Sequence, residues 1–174
     1  RHVAIIAGEG ERKLWVQDLD KEQPRLIEGS DGAAGPFWSP DSTLIGFGAT
    51  GKLRKVSISG GLVAPVCDLP GPGSYMGGGS WSPDGSSIVF SSGSPATLYS
   101  VSATGGTADV LVSHKQLNLT GPAFPDGRAT GFEWMVQPHF VANSSPAVLF
   151  TYGSSLLLYN LDSRQTRVVG PGAN

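Results

Sequence analysis

The residues of this chain that are able to do chemistry are few, and their spacing argues against most of that chemistry. The three histidines, His2, His114 and His139, are too far apart in the 174 residues to form the closely spaced pair that grips a metal ion, so each reads as a surface or packing residue. Cys67 is the only cysteine, which rules out an internal disulfide; with no His placed beside it, it reads as a small buried hydrophobe. Asp18-Leu19-Asp20 and Asp31-Gly32 lack the Asp-x-Asp-x-Asp-Gly spacing of a calcium loop. Gly71-Pro72-Gly73 and Gly77-Gly78-Gly79 are not followed by Gly-Lys-Ser/Thr and read as flexible connectors, not a phosphate cradle. Neither Gly77-Gly78-Gly79-Ser80-Trp81 nor Tyr152-Gly153-Ser154-Ser155 fits a Gly-x-Ser-x-Gly nucleophile elbow. The expectation is a chain with no catalytic residue, no metal ligand and no cofactor.

One stretch has the composition of a contact surface. Phe132, Trp134, Met135, His139 and Phe140 crowd aromatic and polarisable side chains into a segment between Arg128 and Ser145, and Trp134, His139 and Phe140 are the candidate binding residues. The competing reading is that Trp134 and Phe140 fill a gap between packed sheets.

The elements that must position these residues announce themselves by repetition. Phe37-Trp38-Ser39-Pro40-Asp41-Ser42 returns as Ser80-Trp81-Ser82-Pro83-Asp84-Gly85 and, worn, as Ala123-Phe124-Pro125-Asp126-Gly127; Trp38, Trp81 and Phe124 are 43 residues apart. A period of about 40 to 45 residues marks the four-stranded blade of a β-propeller. Pro fixes φ, Asp bonds the backbone two residues on, and Ser or Gly bends the chain, so Asp41 and Asp84 read as turn-formers and not as metal ligands. Gly60-Gly61 and Gly105-Gly106 read as two-residue hairpin turns.

Composition bounds the rest. Charged residues make up 15% of the chain, and it holds 25 glycines and 13 prolines, a pairing that suits a β-rich, turn-rich domain. Apolar runs are strand-sized, so no membrane insertion by this segment is expected. Net charge is −2 without a long basic run, which leaves nucleic-acid binding no source of counterion-release affinity. The fold expected is all-β: one propeller domain or segment over 1–174, with blades near 1–34, 35–76, 77–120 and 121–174. The fourth repeat departs from the rest. About twenty residues separate its Pro-Asp-Gly turn from Ala147-Val148-Leu149-Phe150, through an insertion or a duplicated inner strand in which Phe140 takes the part of Trp38. The chain reads as starting in mid-blade, either as a small ring or as an excerpt of a larger one. Exposed blade edges then make self-association an expectation.

Leu14-Trp15-Val16-Gln17-Asp18-Leu19-Asp20, Pro36-Phe37-Trp38-Ser39-Pro40-Asp41-Ser42, Gly51-Lys52-Leu53 and Leu98-Tyr99-Ser100-Val101-Ser102-Ala103-Thr104-Gly105-Gly106 resemble the WD-like Pro-Asp repeats of TolB-type propellers. They are most similar to the C-terminal propeller of bacterial transmembrane serine/threonine protein kinases. The resemblance implies an extracytoplasmic or periplasmic module that senses a small ligand or docks a protein and has no chemistry of its own. The chain itself carries no kinase element. An alternative is the propeller portion of a prolyl-oligopeptidase-type serine hydrolase.

Overall fold

Strands such as Leu44–Ala49 and Ser87–Ser92 are buried along nearly their whole length, so both faces of their sheets must be covered. The computed structural model describes residues 1–71, 75–93, 96–117, 135–141, 146–153 and 155–171. These form four antiparallel sheets, each running through consecutive strands. The first has three strands, β1 (His2–Ala7), β2 (Lys13–Asp18) and β3 (Arg25–Leu26). The second is β4 (Ala34–Trp38), β5 (Leu44–Ala49), β6 (Lys52–Ser57) and β7 (Ala64–Asp68). The third is β8 (Met76–Trp81), β9 (Ser87–Ser92), β10 (Thr97–Ser102) and β11 (Asp109–Ser113), followed by one 3₁₀ turn at His114–Gln116. The fourth is β12 (Met135–Val141), β13 (Ala147–Tyr152), β14 (Ser155–Asn160) and β15 (Thr166–Pro171). This is the all-β propeller architecture that the 43-residue period predicts.

The sheets are copies of one another to the level of single bonds. The N–H groups of Leu19, Ile58, Ala103 and Leu161 donate to the carbonyls of Arg1, Thr43, Ser86 and Pro146, at 2.9 to 3.0 Å in all four sheets. Strand pairing then makes His2, Leu44, Ser87 and Ala147 equivalent, and everything after them in the same strands.

Alternation sends successive side chains to opposite faces, so each sheet has a leading face toward the sheet before it and a trailing face toward the sheet after it. Three apolar clusters fill the joints. Leu14, Val16 and Ile27 meet Ile45, Phe47 and Val56 between the first two sheets. Phe37, Leu53 and Val66 meet Trp81, Phe90 and Tyr99 at the second joint, where the Phe37 and Trp81 rings lie 4.9 Å apart. Val89, Leu98 and Val112 meet Val148, Phe150 and Leu157 at the third. Phe47, Phe90 and Phe150 hold the same register position and are all fully buried.

The Pro-Asp turns tie the inner strand to its neighbour. Ser39 N–H donates to the Leu44 carbonyl (3.0 Å), and Leu44 N–H donates back to Ser39 Oγ (2.9 Å). Ser39 Oγ donates to Asp41 (2.6 Å), which also accepts from Thr43 N–H (3.1 Å). Ser82, Ser87, Asp84 and Ser86 repeat the same four bonds at 2.5 to 3.0 Å. The turn role of Asp41 and Asp84 is therefore observed directly; Phe124 to Gly127 lie outside the described residues.

Two expectations need correction. Gly60, Gly61, Gly105 and Gly106 do take positive φ, but the connections run over 58–63 and 103–108 instead of closing as two-residue hairpins. The Gly60 and Gly105 N–H groups close a turn onto Ser57 and Ser102, and in the second loop Gly106 N–H also donates to Val66 O of the preceding sheet (3.1 Å) before the chain returns to its own sheet. Nor are Gly77-Gly78-Gly79 a flexible connector: they lie inside strand β8.

Removing one of the buried rings is expected to be costly. Phe90→Ala should lower unfolding free energy by about 3–5 kcal/mol, whereas Leu62→Ala, at a position 92% exposed, should change it by less than about 0.5 kcal/mol. Urea unfolding followed by tryptophan fluorescence checks both. Acid stability tests the turns. The Ser82 hydroxyl and the Ser86 N–H hold the Asp84 carboxyl down at about 2, and Ser39 and Thr43 lower Asp41 in the same way. A depressed folded-state value contributes stability above the unfolded value, about 3.9, and that contribution is lost as pH falls through the folded value. The melting temperature of the wild type should therefore fall more steeply between about pH 4 and pH 2 than that of an Asp41→Asn/Asp84→Asn variant.

Candidate functional site

Each inner strand carries one extra residue in its pairing, between Ala34 and Phe37, between Met76 and Gly79, and between Val136 and His139. Such a bulge bends the strand and re-aims its side chains. It also aligns the three strands: Phe37, Ser80 and His139 face the equivalent residues Gly46, Val89 and Leu149, and Trp38, Trp81 and Phe140 come next. Phe140 thus occupies the place of Trp38, so of the two expected readings of the fourth repeat the inner-strand one describes β12. Phe140 packs toward the third sheet against the cluster of Val89, Leu98 and Phe150, and its N–H donates to Ser80 Oγ at 3.2 Å. His139, one residue earlier, is exposed and belongs to the opposite face. Trp134 lies outside the described residues. The structure therefore does not join His139 and Phe140 into one contact patch.

The bulge position itself forms a row. Gly35, Gly78 and Gln137 are equivalent residues on the adjacent strands β4, β8 and β12, and all three have positive φ, at 56°, 114° and 53°. A Cβ on Gly35 would come within 3.2 Å of the Gly78 backbone, and one on Gly78 within 3.4 Å of the Gln137 backbone. The inner wall is thus built by main chain close against main chain, and at Gly35 and Gly78 a side chain would be crowded as well as strained by the positive φ. Gln137 is where the row acquires a side chain, an exposed amide on a backbone in the left-handed region. Non-glycine residues held there cost about 1–3 kcal/mol and concentrate at functional sites. Residue-type arguments pass over Gln137, yet a signal was present: Gln137-Pro138-His139-Phe140 matches Gly35-Pro36-Phe37-Trp38, with proline in common.

A concavity of about 440 Å³ opens between the third and fourth sheets, lined among others by Asp109, Val110, Gln116, Tyr159, Leu161 and Arg164. Its size falls in the range that holds a small ligand. Arg164 has a φ of 56°, on the turn between β14 and β15. Among the described residues, no three His, Cys, Asp or Glu side chains gather as metal ligands. His2 and Lys21 both pair with Asp18 at 2.5 Å, where two hydrogen bonds lower its carboxyl; these are surface contacts of modest weight. No helix among the described residues is long and apolar enough to cross a membrane.

No family model and no curated protein matches this sequence. Solved structures do. The chain is similar to TolB from Acinetobacter baumannii at 18% identity and a TM-score of 0.64, covering 90% of this chain and 37% of that one. A putative TolB from Agrobacterium tumefaciens gives 15% identity and a TM-score of 0.67, with 98% of this chain and 62% of that one covered. An oligogalacturonate lyase in complex with manganese gives 16% identity and 0.63, covering 94% and 47%. The chain therefore has the fold of the TolB-like propellers and spans between about a third and two thirds of the length of these proteins.

The row makes opposite demands at neighbouring strands. Gly78→Gln should destabilise the fold by about 1–3 kcal/mol, because it places a side chain at φ 114° against the next backbone. Gln137→Gly removes the only side chain of the row and should leave stability equal or higher. Paired thermal melts of the two variants against wild type decide the point.

Proposed function

We propose that this chain is a non-catalytic recognition module, a propeller scaffold that offers its inner wall to a protein or small-molecule ligand. The observation that carries this reading is Gln137, a polar side chain held exposed on an unfavourable backbone where its equivalents are glycine. An amide and the nearby His139 imidazole bond a ligand through donors and acceptors without altering it. Rigid strands with a few polar groups at a concave wall are the usual form of a binding site. The resemblance of its Pro-Asp repeats to those of kinase-linked propellers is the ground for proposing a sensing role for the module, outside the cytoplasm and as one part of a larger bacterial protein.

The test is a thermal-shift screen with two probe sets, a library of short unstructured peptides and oligogalacturonate with manganese. A peptide hit confirmed by calorimetry, weakened about tenfold or more by Gln137→Ala but not by Lys21→Ala, is the expected outcome. If Tyr159→Phe or Arg164→Ala weakens it instead, the groove is the site and the wall reading fails. Turnover of oligogalacturonate by the purified chain would overturn the non-catalytic reading altogether.

A further inference from the structure

The third joint differs from the two before it at its outer end. In the first two joints a cation of one sheet bonds a carbonyl of the next: Arg25 reaches the Ile58 carbonyl, and Lys55 Nζ reaches that of Ala103 at 2.6 Å. The second joint is closed further by a loop, whose Gly106 N–H donates to the Val66 carbonyl at 3.1 Å. Strand pairing carries each of these positions into the third joint. Asp109 stands where Arg25 stands, Ser100 where Lys55 stands, Leu111 where Val66 stands, and Leu161 where Ile58 and Ala103 stand. Neither bridging cation is kept.

The closing loop is lost as well. Ser102 and Asn160 end equivalent strands, and counted from them Arg164 falls at the place of Gly106; both take a positive φ, 56° and 133°. Arg164 N–H, however, donates to the Asn160 carbonyl of its own sheet at 2.9 Å, and Ser163 N–H donates to the Asn160 side-chain oxygen at 2.7 Å. The loop thus folds back on its own strand, and the concavity of about 440 Å³ opens between it and β11, with Leu111 and Arg164 on its lining. Both walls belong to consecutive sheets of this chain.

Three polar side chains line the opening without partners among the described residues. Asp109 stands on one wall and Arg164 on the other, and neither enters an ion pair. Tyr159 takes the place of Val56 and Val101; its ring packs in the apolar cluster of the joint and is 6% exposed, and its hydroxyl makes no bond among the described residues. A buried tyrosine hydroxyl ordinarily finds a partner. An unpaired carboxylate and an unpaired guanidinium in one cavity suit a molecule that carries both opposite charges.

We propose that this concavity binds a small zwitterion, a free amino acid with a basic side chain. Its side-chain cation sits at Asp109 and the Leu161 carbonyl, in the place that the ends of Arg25 and Lys55 occupy in the other joints, and its carboxylate accepts from the Arg164 guanidinium. The site is separate from the inner wall of β4, β8 and β12, so the two readings stand or fall apart.

Calorimetry on the full chain with L-arginine and L-lysine tests the proposal. Binding is expected, and agmatine and cadaverine, the same two molecules without their carboxylates, should bind about tenfold or more weakly. Arg164→Gly and Asp109→Ala install the residues found at the equivalent places, Gly106 and Ala64, so each should keep the wild-type melting temperature or raise it. Each should nonetheless weaken the amino acid about tenfold or more, while Gln137→Ala leaves it unchanged. Absence of binding by both amino acids at millimolar concentration overturns the proposal. So does a decarboxylated analogue that binds as tightly as its parent, a comparison that needs no variant to fold. Binding that survives both groove variants, or that is lost in Gln137→Ala, overturns it as well.

Discussion

No sheet of this protein keeps its own faces dry, and the rest of the structure depends on that constraint. A sheet with apolar side chains on both faces is stable only when sandwiched, so each blade borrows its cover from the blades on either side. The borrowing is literal here. The phenylalanine at one position of the second, third and fourth sheets reaches into the joint before it, and the leucine at one position of the first three reaches into the joint after it. Stability is thereby distributed over joints and not over sheets, and an interior sheet counts in two of them.

For such joints to stack, every sheet must present the same pleat at the same height. The Ser-Pro-Asp turn supplies that alignment. One serine hydroxyl bonds both the aspartate and the N–H that opens the next strand, so the inner and second strands of a sheet cannot slip by a residue without breaking four bonds at once. Lys55 Nζ then reaches across the second joint to the Ala103 carbonyl at 2.6 Å, and Arg25 does the same for Ile58 across the first. These carbonyls are equivalent in the two sheets, so the polar periphery repeats as faithfully as the apolar interior.

How far the site was legible from sequence differs residue by residue. Trp38 and Trp81 declare their inner strands because proline and aspartate follow at fixed spacing, and those signals are local. Phe140 has no such turn after it; its place becomes plain only when β12 is seen paired to β13 with the same extra residue as β4 and β8. Gly77-Gly78-Gly79 misleads for the same reason. Three glycines in a row read as a hinge, because local propensity cannot know that two backbones must pass within reach of each other at Gly78. The paired glycines after the third strands misled differently: their positive φ was legible, but the bond that Gly106 makes to Val66 of the preceding sheet is a long-range event.

What the sequence determined by itself is the unit: its period, its turns, the alternation of apolar positions, and hence a propeller of repeated four-stranded sheets. Those properties arise from interactions a few residues apart and need no knowledge of neighbours. What only the tertiary structure decided is which faces meet and which do not. The close approach of the Gly35 and Gly78 backbones joins residues more than forty positions apart, and Ile5 is typed no differently from any buried isoleucine. Burial is a property of what stands opposite, and a single strand's sequence does not contain its partner.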